Sequence, residues 1–153
     1  MVSEKAKKII SNLINQPVSS VCREADMGDF HFGNYALHIQ CPFRITANTG
    51  EIIVTSYDIY LGKNGNPLAS MHWDRKGKNR YDIEIQKWLT NHPDIFVKNV
   101  SLNMQGDLKI IFSNDDRLEI FINCSTDSEC WRCFEPHADK EHLVISGVGD
   151  DYD

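Results

Sequence analysis

The chain has 153 residues, of which 41% are hydrophobic and 25% charged, with five Pro and nine Gly. That profile fits a globular domain and excludes collagen-like, low-complexity and intrinsically disordered classes. No apolar run approaches the ~20 residues of a membrane span. The first residues, MVSEKAKKIISNLINQ, show neither a signal-peptide apolar core nor a small-residue cleavage site. The net charge of −6 is unevenly spread. Residues 1–124 balance 14 basic against 14 acidic groups, whereas residues 125–153 set Arg132 and Lys140 against eight acids. An acidic surface repels nucleic acid and attracts basic partners. The five cysteines, Cys22, Cys41, Cys124, Cys130 and Cys133, are odd in number and come without a secretion signal. They point to a reduced, cytoplasmic protein rather than a disulfide scaffold.

In chain order, Ala6, Ile9, Ile10, Leu13 and Ile14 make one apolar stripe at helical spacing. Ser3 is placed to cap that helix and Pro17 to close it. Residues 18–61 read as β structure. Val18 and Val21 open a strand, Leu37, Ile39 and Cys41 alternate with His38 and Gln40, and Ile52 to Tyr60 returns after a turn at 48–50. Residues 26–34 read as a loop or ragged hairpin. Residues 62–80 carry Lys63, Arg75, Lys76, Lys78 and Arg80 against Asp74, with three Gly and one Pro, and read as a solvated basic loop. Its His72 and Trp73 could stack on a nucleic-acid strand. The acidic chain and the lack of a nucleic-acid motif weigh against that, as they do against any nucleic-acid partner.

A second helix follows, capped by Asn79 with Asp82, apolar along Tyr81, Ile85, Trp88 and Leu89, and ended by His92-Pro93. Five strands are predicted beyond it, over 97–104, 108–112, 118–124, 129–134 and 142–148, as a β-meander. Residues 150–153 read as a mobile acidic tail after a single domain over 1–149. Pro17-Val18-x-x-Val21 and Val97-x-x-Val100, each after a helix, echo one another. The expected fold is therefore α+β: a curved, mainly antiparallel sheet, as a duplicated β unit or a partial barrel, with two packed helices.

The chemistry-bearing residues are sparse. Cys124-x5-Cys130-x2-Cys133-x3-His137, with His142 beyond, has zinc-ligand residue types but only one tight pair, and buried cysteine is the commoner role. No metal or cofactor is assigned. No nucleotide-binding, metalloprotease or calcium-loop motif is present. In Glu129-Cys130-Trp131-Arg132, Trp131 is expected in the core, with Arg132 outward beside Glu129 or Glu135.

The set Leu37-His38-x-x-Cys41-Pro42-x-Arg44-Ile45, Asp58-Ile59-Tyr60, Asn79-Arg80-Tyr81-Asp82, Gly106-Asp107-Leu108, Leu118-Glu119-Ile120-Phe121, Glu129-x-Trp131-Arg132-x-Phe134-x-Pro136 and His142-Leu143-Val144 resembles a family of uncharacterised bacterial proteins of similar length. The resemblance spans residues 9–149 and implies no activity. In size, charge and architecture the chain is also similar to immunity proteins of bacterial toxin systems. Two functions follow as expectations. In the first, a non-catalytic immunity protein meets a basic, nuclease-type toxin through Asp115, Asp116, Glu129, Glu135, Asp139 and Glu141. In the second, a small-ligand binder or enzyme uses a polar pocket of His38, Arg44, Asp58, Glu129, Arg132 and His142 at the strand ends.

Overall fold

A computed structural model describes residues 1–69 and 72–153. Helix α1 spans Glu4–Ser11 and α2 spans Arg80–Asn91. Strands β1 (Val18–Glu24), β2 (Met27–Phe32), β3 (Tyr35–Ile39), β4 (Phe43–Thr46) and β5 (Ile52–Thr55) lie between the helices. Strands β6 (Val97–Leu102), β7 (Leu108–Phe112), β8 (Arg117–Ile120), β9 (Glu129–Phe134), β10 (Leu143–Ser146) and β11 (Gly149–Tyr152) follow. The α+β class, the antiparallel pairing and the two helices agree with the sequence. The strands divide into two open sheets, ordered β1-β2-β3-β9-β10-β11 and β5-β4-β8-β7-β6, and neither closes into a barrel.

The topology is a reciprocal exchange. Each helix leads into a three-stranded meander, β1-β2-β3 after α1 and β6-β7-β8 after α2. The chain then crosses over and adds its next strands to the other meander. Strand β4 pairs with β8, and β9 pairs with β3. The two halves match in detail. Val18 N donates to Ile95 O at 3.0 Å and Val97 N donates to Gln16 O at 2.9 Å. The register of β1 slips between Val18 and Ser20, and that of β6 between Val97 and Asn99. At the crossovers Gln40 N donates to Cys130 O and Phe121 N to Pro42 O. The Val-x-x-Val echo thus marks the same strand in two like units.

The inner faces of both sheets meet in one apolar cluster, which includes Phe30, Leu37, Ile39, Trp131 and Ile145 from one sheet and Phe43, Ile45, Ile110 and Leu118 from the other. Phe43 stands edge-on to Phe30 at 5.5 Å and to Tyr81 at 5.9 Å. Its ring lies where a side chain on Gly28 would sit, so only glycine lets the sheets approach there. Trp131 is fully buried and its indole N–H donates to Gly106 O at 2.9 Å, joining a centre strand of one sheet to a turn of the other.

Both helix starts were legible. Ser3 Oγ accepts from Ala6 N and Asn79 Oδ1 from Asp82 N. Four expectations need correction. Residues 27–32 form a full strand between two-residue turns; Gly28, Phe30 and Phe32 point inward, a period hidden by the surrounding glycine and polar residues. Strand β5 stops at Thr55, because Asp58 accepts from Thr55 N at 2.8 Å and winds Ser56–Tyr60 into a 3-10 turn. The last strands are not one meander, since β9 leaves for the first sheet. The acidic tail is not mobile: Asp150 and Asp151 lie in β11, and Asp150 binds Ser3 N and Oγ at 2.7 and 2.6 Å.

The described part of the 62–80 loop is pinned rather than free. Arg23, on β1, is 2% exposed and binds both Asp82 oxygens at 2.8 and 3.0 Å, Asp74 Oδ1 at 3.0 Å and Ala25 O at 2.7 Å. Residues 70 and 71 lie outside the described residues. Arg23→Ala leaves Asp82 without its bidentate partner and is expected to cost about 3 kcal/mol. A lower urea midpoint with an unchanged slope would show it.

Candidate functional site

The acidic residues divide between two places. Asp115 and Asp116 sit at the β7–β8 turn. Asp115 is exposed and pairs with Lys98 at 2.7 Å. Asp116 is 4% exposed and is a structural acceptor for Trp88 Nε1 at 2.8 Å, Asn48 N at 2.9 Å and Asn114 Nδ2 at 2.7 Å. It is not part of a docking surface, because its oxygens are already bonded inside the protein. Glu129 is likewise engaged, by Arg132 at 2.6 and 2.7 Å, and that bond holds its carboxyl below the usual carboxylate range. Trp131 is inward and Arg132 outward beside Glu129, as the sequence predicts.

Glu135, Asp139 and Glu141 come together around a groove of about 450 Å³ where α1 passes the end of β9. Ile9 of α1, Asn12 at its C-cap, Tyr35 of β3, and Cys133 and Phe134 of β9 form its walls. Lys140 is its basic residue, and both Glu135 oxygens hold its ammonium at 2.8 Å. Glu141 reaches Lys5 at 3.4 Å, and Lys5 lies 3.5 Å over the Tyr152 ring. The paired tail carries Asp153 elsewhere, to Arg132 at 3.7 Å, with His142 N donating to Asp153 O. The result is an apolar slot with an acidic lip.

Of the six residues of the alternative pocket, four converge on the outer face of the first sheet. His38 and Arg132 are register partners on β3 and β9, and Asp29 opposes His38 on β2. Phe134 stacks on His142 at 4.7 Å and meets His38 edge-on at 4.7 Å. Arg132 Nη1 lies 3.1 Å from His142 Nδ1. Arg44 and Asp58 are elsewhere. Arg44 pairs with Glu119 on the outer face of the second sheet at 2.8 Å, with Phe121 beneath its guanidinium at 5.2 Å. Asp58 caps the 3-10 turn and faces Arg80 at 3.7 Å. The four form an open, polar sheet surface rather than the convergent pocket of six. Sequence reading missed Asp29 and His31, which join them with His31 Nε2 3.0 Å from Asp29 Oδ1; recognition of β2 as a strand would have shown the shared face.

Burial holds His38 below the ordinary histidine range, with Arg132 and His31 adding repulsion and Asp29 opposing. Its charged form therefore favours the unfolded chain. Its contribution to stability is whole above the ordinary value of 6.5 and is lost as pH falls below it. His38→Gln is expected to flatten the fall in Tm between about pH 7 and about pH 5, read by thermal melts across that range.

The cysteines separate in the same way. Cys133 lines the groove, whereas Cys124 lines a different recess beside Met104 and Gly147. Cys124 Sγ lies 3.3 Å from Cys130 Sγ. The hydrogen bond with the Cys130 thiol, with help from backbone N–H groups, lowers the Cys124 pKa. Burial raises that of Cys130. Burial pushes Cys22 up to about 11, and Cys41 and Cys133 up to about 12. Since the thiolate is the nucleophile, limited iodoacetamide at neutral pH should label Cys124 first, as peptide mass mapping would read. Early labelling of Cys22 would contradict this.

Comparison with protein-family models, with curated proteins and with solved structures finds no match. Among the described residues no helix is long and apolar enough to cross a membrane.

Proposed function

We propose that the chain is a non-catalytic binding protein whose acidic-lipped groove receives a basic protein partner. A cytoplasmic immunity protein facing a basic, nuclease-type toxin is the most concrete form of this reading. The observation that carries it is the convergence of Glu135, Asp139 and Glu141 on one apolar slot. Carboxylates around a slot steer a cationic partner to it, and apolar walls supply the area that holds it. The head of a lysine or arginine on such a partner meets the carboxylates at the lip, with its methylenes along the rim. The charge imbalance of residues 125–153 supports the same polarity, as does the resemblance in size, charge and architecture to immunity proteins.

The test is co-expression with the product of the adjacent upstream gene and recovery of a 1:1 complex. The complex is expected to weaken as salt rises. Asp139→Lys with Glu141→Lys should slow association about tenfold at low salt, while the melting temperature stays close to that of the parent because both sites are exposed. Association that ignores both salt and charge reversal would remove the groove from the interface.

A further inference from the structure

The reciprocal fold supplies an internal template for the groove. The hydrogen bonds that end the two helices set the correspondence: Leu13 N donates to Ile10 O and Gln16 N to Leu13 O, as His92 N donates to Leu89 O and Ile95 N to His92 O. In that register Ile9 is the counterpart of Trp88. Likewise Tyr35, paired beside Phe32, is the counterpart of Asp116, which pairs beside Phe112. Cys133 and Phe134, opposite Leu37 and Ala36, answer to Ile45 and Thr46, opposite Leu118 and Arg117. The groove is thus the first half's version of the place where the second half buries a tryptophan.

In the second half that place is full. Trp88 is 2% exposed, lies 5.1 Å from the Phe112 ring and gives its indole N–H to Asp116. Residue 48, just after β4, closes over it by donating from its backbone N–H to the same carboxylate. In the first half a half-buried isoleucine stands in place of the indole. The connection after β9 is longer and carries the Lys140–Glu135 and Lys5–Glu141 pairs. The slot therefore stays open, and its lip carries carboxylates able to accept an N–H.

We infer that the groove takes an aromatic side chain, best an indole, from a basic segment of the partner protein, repeating between molecules the contact that Trp88 makes within this one. The inference rests on the acidic-groove reading above and adds the anchor to it. An aromatic ring brings roughly 150–250 Å² of burial, and an indole adds a polar N–H in the same side chain, which suits a slot with apolar walls and carboxylates at its lip.

Three peptides separate the two ideas: acetyl-Lys-Trp-Lys-amide, acetyl-Lys-Ala-Lys-amide and acetyl-Ala-Trp-Ala-amide, each titrated into the full chain and followed by amide chemical shifts. The Lys-Trp-Lys peptide is expected to shift groove residues and to bind about tenfold more tightly than the other two. Ile9→Trp, alone or with Tyr35→Asp to restore the Trp88–Asp116 arrangement, should fill the slot and abolish those shifts. Equal binding of the Lys-Ala-Lys peptide overturns the aromatic anchor and leaves the acidic lip standing. Equal binding of the Ala-Trp-Ala peptide supports the anchor and overturns the acidic reading. Absence of binding by all three, or shifts confined to another surface, overturns both.

Discussion

The pairing of β3 with β9, and its twin of β8 with β4, is the constraint from which the rest follows. A three-stranded meander leaves an inner edge of unpaired N–H and C=O groups, and such an edge must be covered. Here each half covers the edge of the other. Leu37 is set against Cys133 and Ile39 against Trp131 on one side, and Leu118 against Ile45 and Ile120 against Phe43 on the other. These residues form the middle of both sheets, so the same pairings that close the edges also build the core.

The exchange also places the surface groups. Outward residues between the core pairs are opposed in the same manner, Arg132 to His38 and Arg44 to Glu119. Equivalent arginines therefore meet different partners. Arg44 pairs with Glu119 on the neighbouring strand; Arg132 faces His38 there and pairs with Glu129 of its own strand. The two halves also differ inside the frame, most plainly at Ile9, half-buried at the place where Trp88 is buried. The acidic-lipped groove lies at that difference, on a frame both halves share.

Much of the frame could be read from residues. The amphipathic stripes, the Ser3 and Asn79 caps and the alternation through Leu37–Ile39 follow from local spacing, and the inward Trp131 with outward Arg132 follows from strand period. The exchange could not be read, because pairing between distant strands leaves no local mark; only the Val-x-x-Val repeat hinted at like units. Strand β2 was obscured because Gly28, chosen to admit the Phe43 ring, lowers the β signal of the segment it serves. For the site, acid content identified Glu135, Asp139 and Glu141. It equally suggested Asp116, whose role as the buried acceptor of Trp88 depends on a helix 28 positions earlier.

Reciprocal coverage has a cost in time. During synthesis the first five strands emerge before the strands that cover β3 and β4 exist, so both edges wait exposed until residues near 120 and 134 arrive. The β3–β9 contact closes a loop of most of the chain, and such long-range closure slows folding. An open edge in that interval is a template for pairing with another nascent chain. Two chains that trade halves would make every native pairing between them, so the same topology that gives one molecule its closed edges also defines the route by which two could become entangled.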